Sequence, residues 1–311
     1  MTNLTFGMSF HETYRYSRQG VIEYARAIES LGFDTLWITE NVHTGADALE
    51  PLLTLSFMAT HTERIALGPS VVLLPLRNAV GLAHAVATLD RLSEGRLIFG
   101  VGTGGNVPGS FEAYGASLRH RGRYCDEALQ VIKSLWTGQP VSFSGELLDI
   151  DGYVLGGRPT SSPHPPIWVG GIAPGVLRRT ARLADGFIPH SISPDLYQDL
   201  WRRIEEHCAA SGRDPATITR AIQLYFCIAD TRDEARCIAE SALEHRYQRP
   251  VSLGPAVDTH YAIGTADDIT RTIQTFADLG VTHFAFSNAR SPTQVMPQIQ
   301  TLARQIIPRF R

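Results

Sequence analysis

Residues 87–105 read ATLDRLSEGRLIFGVGTGG. The order of apolar and polar residues predicts the end of a helix, a turn through Ser93–Gly95, a short apolar strand and a glycine-rich loop. Glycine has no Cβ, so the backbone of such a loop can lie directly against a ligand. We therefore expect the loop to contact a cofactor through its four glycines: Gly100, Gly102, Gly104 and Gly105.

The same loop matches the spacing G-x-G-x-x-G at Gly100, Gly102 and Gly105. In a dinucleotide-binding fold, this pattern opens a helix directly after the glycines. Here the chain continues with Asn106-Val-Pro-Gly-Ser-Phe, which does not suit the start of a regular helix. The loop is therefore a candidate cofactor contact and not a dinucleotide-binding fingerprint.

Strand-like and helical patterns alternate along nearly the whole chain. We predict eight strands, at residues 4–10, 35–39, 65–74, 96–101, 167–170, 186–190, 221–228 and 283–287. Helical periodicity lies between them, for example at residues 79–92 and 121–136. Eight strand–helix units in 311 residues favour an α/β fold of one closed (β/α)8 barrel, a single domain over residues 1–311, over two doubly wound sheets.

The alternation is interrupted around residues 137–165. Two short strand-like pieces, 140–143 and 146–150, flank a Ser144-Gly145 turn. A loop rich in proline, glycine and serine follows, from 156 to 166. We interpret this region as a surface hairpin inserted into the barrel.

Composition excludes several classes of protein. A hydrophobic content of 43% is that of a globular protein with a sizeable core, and a net charge of −3 argues against nucleic-acid binding. The apolar runs are too short to predict a membrane span. The four cysteines lie far apart without a C-x-x-C pair, so we expect reduced thiols in a cytoplasmic protein.

Catalytic groups of a (β/α)8 barrel lie at the C-terminal ends of its strands. The residues predicted there are mostly glycines, small hydroxyls and amides. The sequence has no metalloprotease histidine motif and no G-x-S-x-G motif, so we expect neither a metal site nor a nucleophilic serine. The only lysine, Lys133, falls on a predicted outer helix, which excludes a Schiff base at the site. An organic cofactor is the remaining source of chemistry.

The segment 168–179, WVGGIAPGVLRR, is the candidate anchor for that cofactor. Gly170 and Gly171 end a predicted strand, and Pro174 suits the first turn of a helix, where exposed N–H groups bind phosphate. Arg178 and Arg179 would add positive charge. The alternative is an ordinary strand-to-helix turn with both arginines on a solvated face.

Six segments together resemble the luciferase-like flavin-dependent oxidoreductases, a superfamily of (β/α)8 barrels that use FMN or the deazaflavin coenzyme F420. These segments are GFDTLWITE (32–40), TERIALG (62–68), residues 87–104, LWTG (135–138), PIWVGG (166–171) and ADGF (184–187). The string TLDRLSEGRLIFGVGTG is the most specific of them, and the resemblance extends over essentially the whole chain.

The resemblance implies a set of cofactor contacts. A non-proline cis peptide in this superfamily forms a bulge behind the isoalloxazine ring, and here it would join Ser70 and Val71; the alternative is an ordinary trans bond. Thr103 and Gly104 match positions that meet the ring or its polyol tail. The backbone that receives the tail and its phosphate matches Val169, Gly170 and Gly171.

One position departs from the superfamily pattern. Many members carry an acid followed by a histidine after the second strand, whereas this chain has Glu40-Asn41. Asn41 can hydrogen-bond a ring carbonyl or a substrate but cannot transfer protons. Glu40 is then the candidate acid or base, unless it only holds the loop in shape. His11 and His43 are the other candidate proton carriers.

FMN and F420 imply different reactions. We favour F420 and hydride transfer to or from a small organic substrate, because the Glu-Asn pair, the GVGTG loop and the compact length look more like deazaflavin members. The alternative is an FMN-dependent monooxygenase supplied by a partner flavin reductase. A non-catalytic flavin-binding barrel is the alternative from another class. We also expect a homodimer.

Overall fold

The computed structural model describes residues 4–10, 17–42, 48–105, 109–247, 250–254, 260–291 and 294–311. The described chain contains twelve strands: β1 Thr5–Phe10, β2 Thr35–Ile38, β3 Ala66–Pro69, β4 Val72–Leu73, β5 Phe99–Gly102, β6 Val141–Ser144, β7 Asp149–Tyr153, β8 Ile167–Val169, β9 Gly186–Phe187, β10 Thr219–Ile228, β11 Ala262–Gly264 and β12 His283–Asn288.

Parallel strands form the wall of a barrel in the order β3, β2, β1, β12, β10, β9, β8, β5, β4. β3 and β4 occupy one barrel position, interrupted at Ser70 and Val71. Leu67 of β3 bridges to Leu97 just before β5, and β4 pairs with β5, so the barrel closes. Eight barrel positions result, which confirms the predicted (β/α)8 fold. β11 pairs only with the upper part of β10.

Ten α-helices lie in the described chain: α1 Arg18–Ser30, α2 Pro51–Ala59, α3 Ala79–Leu92, α4 Ser110–Ala113, α5 Arg121–Trp136, α6 Pro174–Leu183, α7 Pro194–Ser211, α8 Arg232–Tyr247, α9 Ala266–Asp278 and α10 Val295–Thr301. α3 and α5 have the predicted bounds. Asn78 accepts the N–H of Gly81, a side-chain cap that fixes the start of α3. Shorter helical segments are 3₁₀ at Leu74–Leu76, Pro215–Thr217 and Ile307–Phe310, and π at Leu302–Ile306.

The inserted hairpin is confirmed, with its second strand later than predicted. β6 and β7 pair antiparallel, and β7 begins at Asp149 where the sequence predicted 146. The N–H groups of Glu146, Leu147 and Leu148 all donate to the carboxylate of Glu127 on α5. This contact holds those residues in the turn and out of the strand.

The predicted fourth strand, residues 96–101, was placed too early. The continuous strand is Phe99–Gly102, whereas Leu97 makes only an isolated bridge to Leu67 of β3. The Arg96 side chain instead holds α2. Its guanidinium donates to the carbonyls of Ala59 and Ile65, each at 3.0 Å, and so ties the end of α2 to the barrel.

The barrel interior toward the N-terminal ends of the strands, here called the lower end, is filled by aromatic rings. Trp37 and Trp168 lie 5.3 Å apart between centroids, and Trp37 Nε1 donates to His283 Nε2 at 3.2 Å. Gly7 and Gly186 make room for the two indoles, since a Cβ on either would lie within 2.5 Å of a ring atom. Burial lowers the pKa of His283 to about 3, so this ring is neutral at pH 7. The layer is closed and dry, and the open site lies above it.

Candidate active site

A polar layer lies directly above the aromatic rings at the C-terminal ends of the strands. Ser9, Ser70, Gln223 and Ser287 are all buried. The Gln223 amide accepts from Ser70 Oγ at 2.9 Å and donates to Ser287 Oγ at 2.9 Å and Ser9 Oγ at 3.3 Å. These bonds join four barrel positions into one floor, here called the polar floor.

The peptide bond between Ser70 and Val71 is cis, as the resemblance implied. The Val71 side chain fills space left by Gly102, where a Cβ would lie 2.6 Å from Val71 Cγ2. A Cβ on Gly100 would lie 2.0 Å from the carbonyl oxygen of Pro69. The expectation of ligand contact is therefore wrong for Gly100 and Gly102, which make room for the neighbouring strand segment.

The other half of the loop is open. Gly105 is exposed, and a Cβ there would meet no atom within 4 Å. Gly104 has φ +72°, and Thr103 is half-buried beside it. Only Thr103–Gly105 of the glycine-rich stretch is therefore available to a ligand.

The predicted anchor follows β8, the strand next to β5, and lies against the same valine. Gly170 N donates to Val101 O at 2.9 Å, and a Cβ on Gly170 would lie 3.0 Å from Val71 Cγ1. Gly171 is exposed and has φ +115°. Val169 is fully buried in the main core, and its carbonyl accepts from Ile188 N at 3.0 Å. The structure brings Gly170 and Gly171 to the site, but not the side chain of Val169.

α6 begins next to these glycines, with Pro174 at its first turn as predicted. Arg178 is exposed, whereas Arg179 is buried and turns away. The Arg179 guanidinium donates to Gly122 O at 2.7 Å and pairs with Asp126 at 2.8 Å, both on α5. The expectation that Arg179 adds charge for a phosphate is therefore wrong.

Glu40 is buried and engaged on both carboxylate oxygens. Oε2 accepts the N–H of Leu73 at 2.5 Å, and Oε1 pairs with Arg77, which also pairs with Glu50. Burial raises the pKa of Glu40, and the charge of Arg77 opposes that rise. Glu40 thus links the end of β2 to β4, next to the interruption at Ser70 and Val71.

Asn41 follows Glu40 and is half-buried at the same end of the barrel. Its predicted role as a hydrogen-bond donor to cofactor or substrate stays a prediction. His11 and His43, the other candidate proton carriers, lie outside the described residues.

Two side chains above the polar floor, Tyr225 and Arg246, were missed by the sequence reasoning, whereas His190 ends the predicted strand 186–190. Alternation along β10 places Tyr225 on the same inward face as Gln223, one layer higher. The rings of Tyr225 and His190 are 4.7 Å apart, and Arg246 of α8 lies over Tyr225 with its Cζ 5.5 Å from the ring centroid. The alternation was a usable signal for Tyr225, but nothing local indicated Arg246.

His190 follows β9 at the same end of the barrel. The side chain is exposed to solvent, yet desolvation by the surrounding protein, with a further contribution from Arg246, lowers its pKa to about 4. His190 is therefore neutral at pH 7 and offers one donor and one acceptor nitrogen.

The described residues contain neither a metal-ligating cluster nor a membrane-spanning helix. No group of three or more histidine, cysteine or acidic side chains converges as a metal site in that part of the chain. No helix within it is long and apolar enough to cross a membrane. Lys133 lies on α5, where its Nζ donates to Leu183 O at 3.2 Å.

Comparison with known proteins identifies the family. The family model described as luciferase-like monooxygenase matches residues 4–283. The chain belongs to the luciferase-like monooxygenase family. It is 29% identical to an F420-dependent glucose-6-phosphate dehydrogenase from Kineococcus radiotolerans, with 85% of each chain covered. It is 25% identical to a 5,10-methylenetetrahydromethanopterin reductase from Archaeoglobus fulgidus, over 99% of this chain and 100% of the relative.

A solved luciferase-like fold superposes over nearly the whole chain. The crystal structure of a monooxygenase from Streptomyces bottropensis matches with a TM-score of 0.85 and 22% identity, covering 99% of this chain and all of the other. At this identity the match shows the shared barrel alone. The resemblance inferred from the six sequence segments is confirmed.

Proposed function

We propose that this protein is an F420-dependent oxidoreductase that moves a hydride between the deazaflavin and a small organic substrate. The observation that carries the proposal is the position of Val71, Gly104–Gly105 and Gly170–Gly171 at the C-terminal ends of three adjacent strands of a luciferase-like barrel. The relative from Kineococcus radiotolerans is an F420-dependent dehydrogenase, which favours F420 over FMN.

The residues at the site fit a flat, tailed cofactor. A side chain at Gly170 would make a short contact with Val71, and the backbone at Gly105 is accessible because no atom lies near its Cβ position. We propose that Ser70, Val71 and Asn41 contact the ring and that Thr103 and Gly104 contact the ring or its polyol. Gly170, Gly171 and the backbone at Val169 would receive the tail, beside the positive N-terminal end of α6.

When bound, F420 would accept or donate a hydride. An alcohol that loses a hydride from carbon and a proton from oxygen becomes a carbonyl compound, and the reverse reaction reduces the carbonyl. The protein orients the reactants and keeps water away. The buried polar floor offers hydrogen bonds from below without an ionised group. Asn41 is proposed to orient a carbonyl or hydroxyl through its amide.

Glu40 stays our candidate for the acid or base. Its raised pKa supports that role, whereas its bonds to Leu73 and Arg77 support a positioning role. Glu40→Gln separates the two. A proton role requires a lower kcat with loss of a limb of the pH profile. If the stability falls while the pH profile of kcat is unchanged, Glu40 is a positioning residue.

Cofactor binding tests the main proposal directly. The purified protein is titrated separately with F420 and FMN, and binding is followed by fluorescence. We expect saturable F420 binding, weakened at least tenfold by Gly170→Val and unchanged by Gly156→Val, at an exposed position where a Cβ would meet nothing within 4 Å. Retained F420 affinity in Gly170→Val would contradict the placement of the tail.

The family description favours one other function, an FMN-dependent monooxygenase that receives reduced flavin from a reductase. Tight FMN binding without F420 affinity would establish that alternative over ours. Binding of either cofactor without turnover of alcohols, carbonyls or oxygen would identify a non-catalytic flavin-binding barrel.

We further propose a cytoplasmic homodimer. Leu53 supports the pairing, because it is 73% exposed on α2, a helix of almost entirely apolar sequence. Three buried free cysteines suit a reducing compartment. Light scattering after size exclusion should give twice the mass of one chain, and one chain mass in Leu53→Glu. A monomeric wild-type protein would contradict the dimer.

A further inference from the structure

The inward-facing residues of β10 mark successive layers of the barrel interior. Ala221 lies among the tryptophans, Gln223 forms the polar floor, and Tyr225 lies above it. Cys227, the next inward residue, packs in one cluster with residues of α8. Two residues of a strand rise about 7 Å. The Tyr225 layer therefore lies about 7 Å above the polar floor, a distance that a small organic molecule can span.

Arg246 is the charged group of this upper layer. It extends from the end of α8, and its Nη2 donates to the backbone carbonyl of Asn288 at 2.8 Å. Within the described part of the chain, its Nε and Nη1 atoms are buried and meet no hydrogen-bond acceptor. Buried guanidinium N–H groups without acceptors are costly, because they have lost water without a replacement.

The described neighbours of Arg246 are aromatic or neutral. The structure gives it an aromatic face at Tyr225 and the neutral imidazole of His190, and no carboxylate among the described residues bonds to its orphan nitrogens. The side chain as a whole is half-buried, and its Nε and Nη1 atoms keep N–H groups that can donate to an anion. A charged guanidinium forms its strongest hydrogen bonds with carboxylate or phosphate oxygens.

We propose that Arg246, with His190 beside it, forms a subsite for an anionic oxygen group of the substrate, a carboxylate or a phosphate. This inference deepens the proposed function and rests on it for the chemistry, since it makes the substrate class an anionic alcohol or carbonyl compound. The anion accepts from Arg246 and from an N–H of His190. The carbon that reacts then lies lower, toward the polar floor.

Titration of the free protein with inorganic phosphate tests the subsite without any flavin. The readout is the ring resonance of His190 in a ¹H–¹³C spectrum, and the sealed His283 serves as an internal control. We expect a saturable shift of His190 and none of His283, with sodium chloride at equal ionic strength giving no saturable shift. Acetate as a second probe distinguishes a carboxylate from a phosphate preference.

Arg246→Gln should weaken the phosphate affinity at least tenfold, and Arg246→Lys should retain part of it. Arg202→Gln removes an equal charge from an exposed ion pair on α7 and should change nothing. Absence of a saturable His190 shift in the wild-type protein, or equal affinity in Arg246→Gln, would overturn the subsite. If Arg246→Gln does not fold, the wild-type and Arg246→Lys titrations decide the question.

A repeat titration with F420 already bound separates substrate from cofactor. An unchanged phosphate affinity supports a substrate subsite. Phosphate binding that F420 blocks would show that Arg246 holds the tail of the cofactor, and would overturn the proposal. Failure of F420 to bind at all would contradict the proposed function while leaving the phosphate result in the free protein intact.

Discussion

The two ends of the barrel interior are built from the same strands but with opposite contents. The lower end is closed by Trp37, Trp168 and glycines that admit their rings. The upper end carries the polar floor, and above it His190 and Arg246. His283 and His190 are both neutral at pH 7, the first buried among rings and the second exposed to solvent. The lower end therefore supplies stability, and hydrogen-bonding capacity is kept for the upper end.

The largest effect should come from the two halves of the glycine-rich loop. Gly100→Ala should destabilise the protein by about 3 kcal/mol, because its Cβ would collide with the backbone carbonyl of Pro69. Gly105→Ala is the matched control and should leave stability unchanged, since its Cβ meets nothing. Urea unfolding monitored by circular dichroism measures both. Equal stability of the two variants would remove the distinction between a closed and an open half.

An intermediate effect should come from acid. The folded pKa of His283 is about 3 and the unfolded value about 6.5, so the unfolded chain binds the extra proton between these values. The contribution of His283 to the free energy of unfolding is therefore fully present above pH 6.5. It falls as the pH drops, by about 2 kcal/mol at pH 5.

Unfolding free energies measured from pH 7.5 to 5 test this dependence. His283→Gln should be less stable at pH 7.5 and should lose less stability on acidification. His190 should leave a residual dependence of the same sign, since its pKa is also lowered. An equally steep dependence in His283→Gln would show that His283 is not the sealed neutral group described.

The smallest effect should come from the polar floor. Gln223→Met removes the amide that joins three buried hydroxyls and should cost about 1 kcal/mol, because Ser287 and Ser9 still hydrogen-bond each other after the amide is lost. Gln139→Met at an exposed position is the control and should change stability by less than about 0.5 kcal/mol. If Gln223→Met retains full stability and cofactor affinity, the polar floor is not a structural unit.

The sequence by itself determined the barrel and several of its elements. α3 and α5 follow the predicted bounds because helical periodicity and caps such as Asn78 are local signals. The family resemblance was also read from local signals, because each of its six segments is a short continuous stretch of sequence. The position of the site followed from the barrel, because strand ends converge on one face.

Only the tertiary structure decided what the individual residues do there. Gly100 and Gly102 looked like ligand contacts, but Pro69 and Val71 occupy the space beside them. Arg179 looked like a phosphate ligand, but Asp126 on α5 pairs with it. These outcomes depend on contacts between residues far apart in the chain, as does the approach of Arg246 to the barrel mouth. Such contacts depend on packing between elements, which local patterns do not encode.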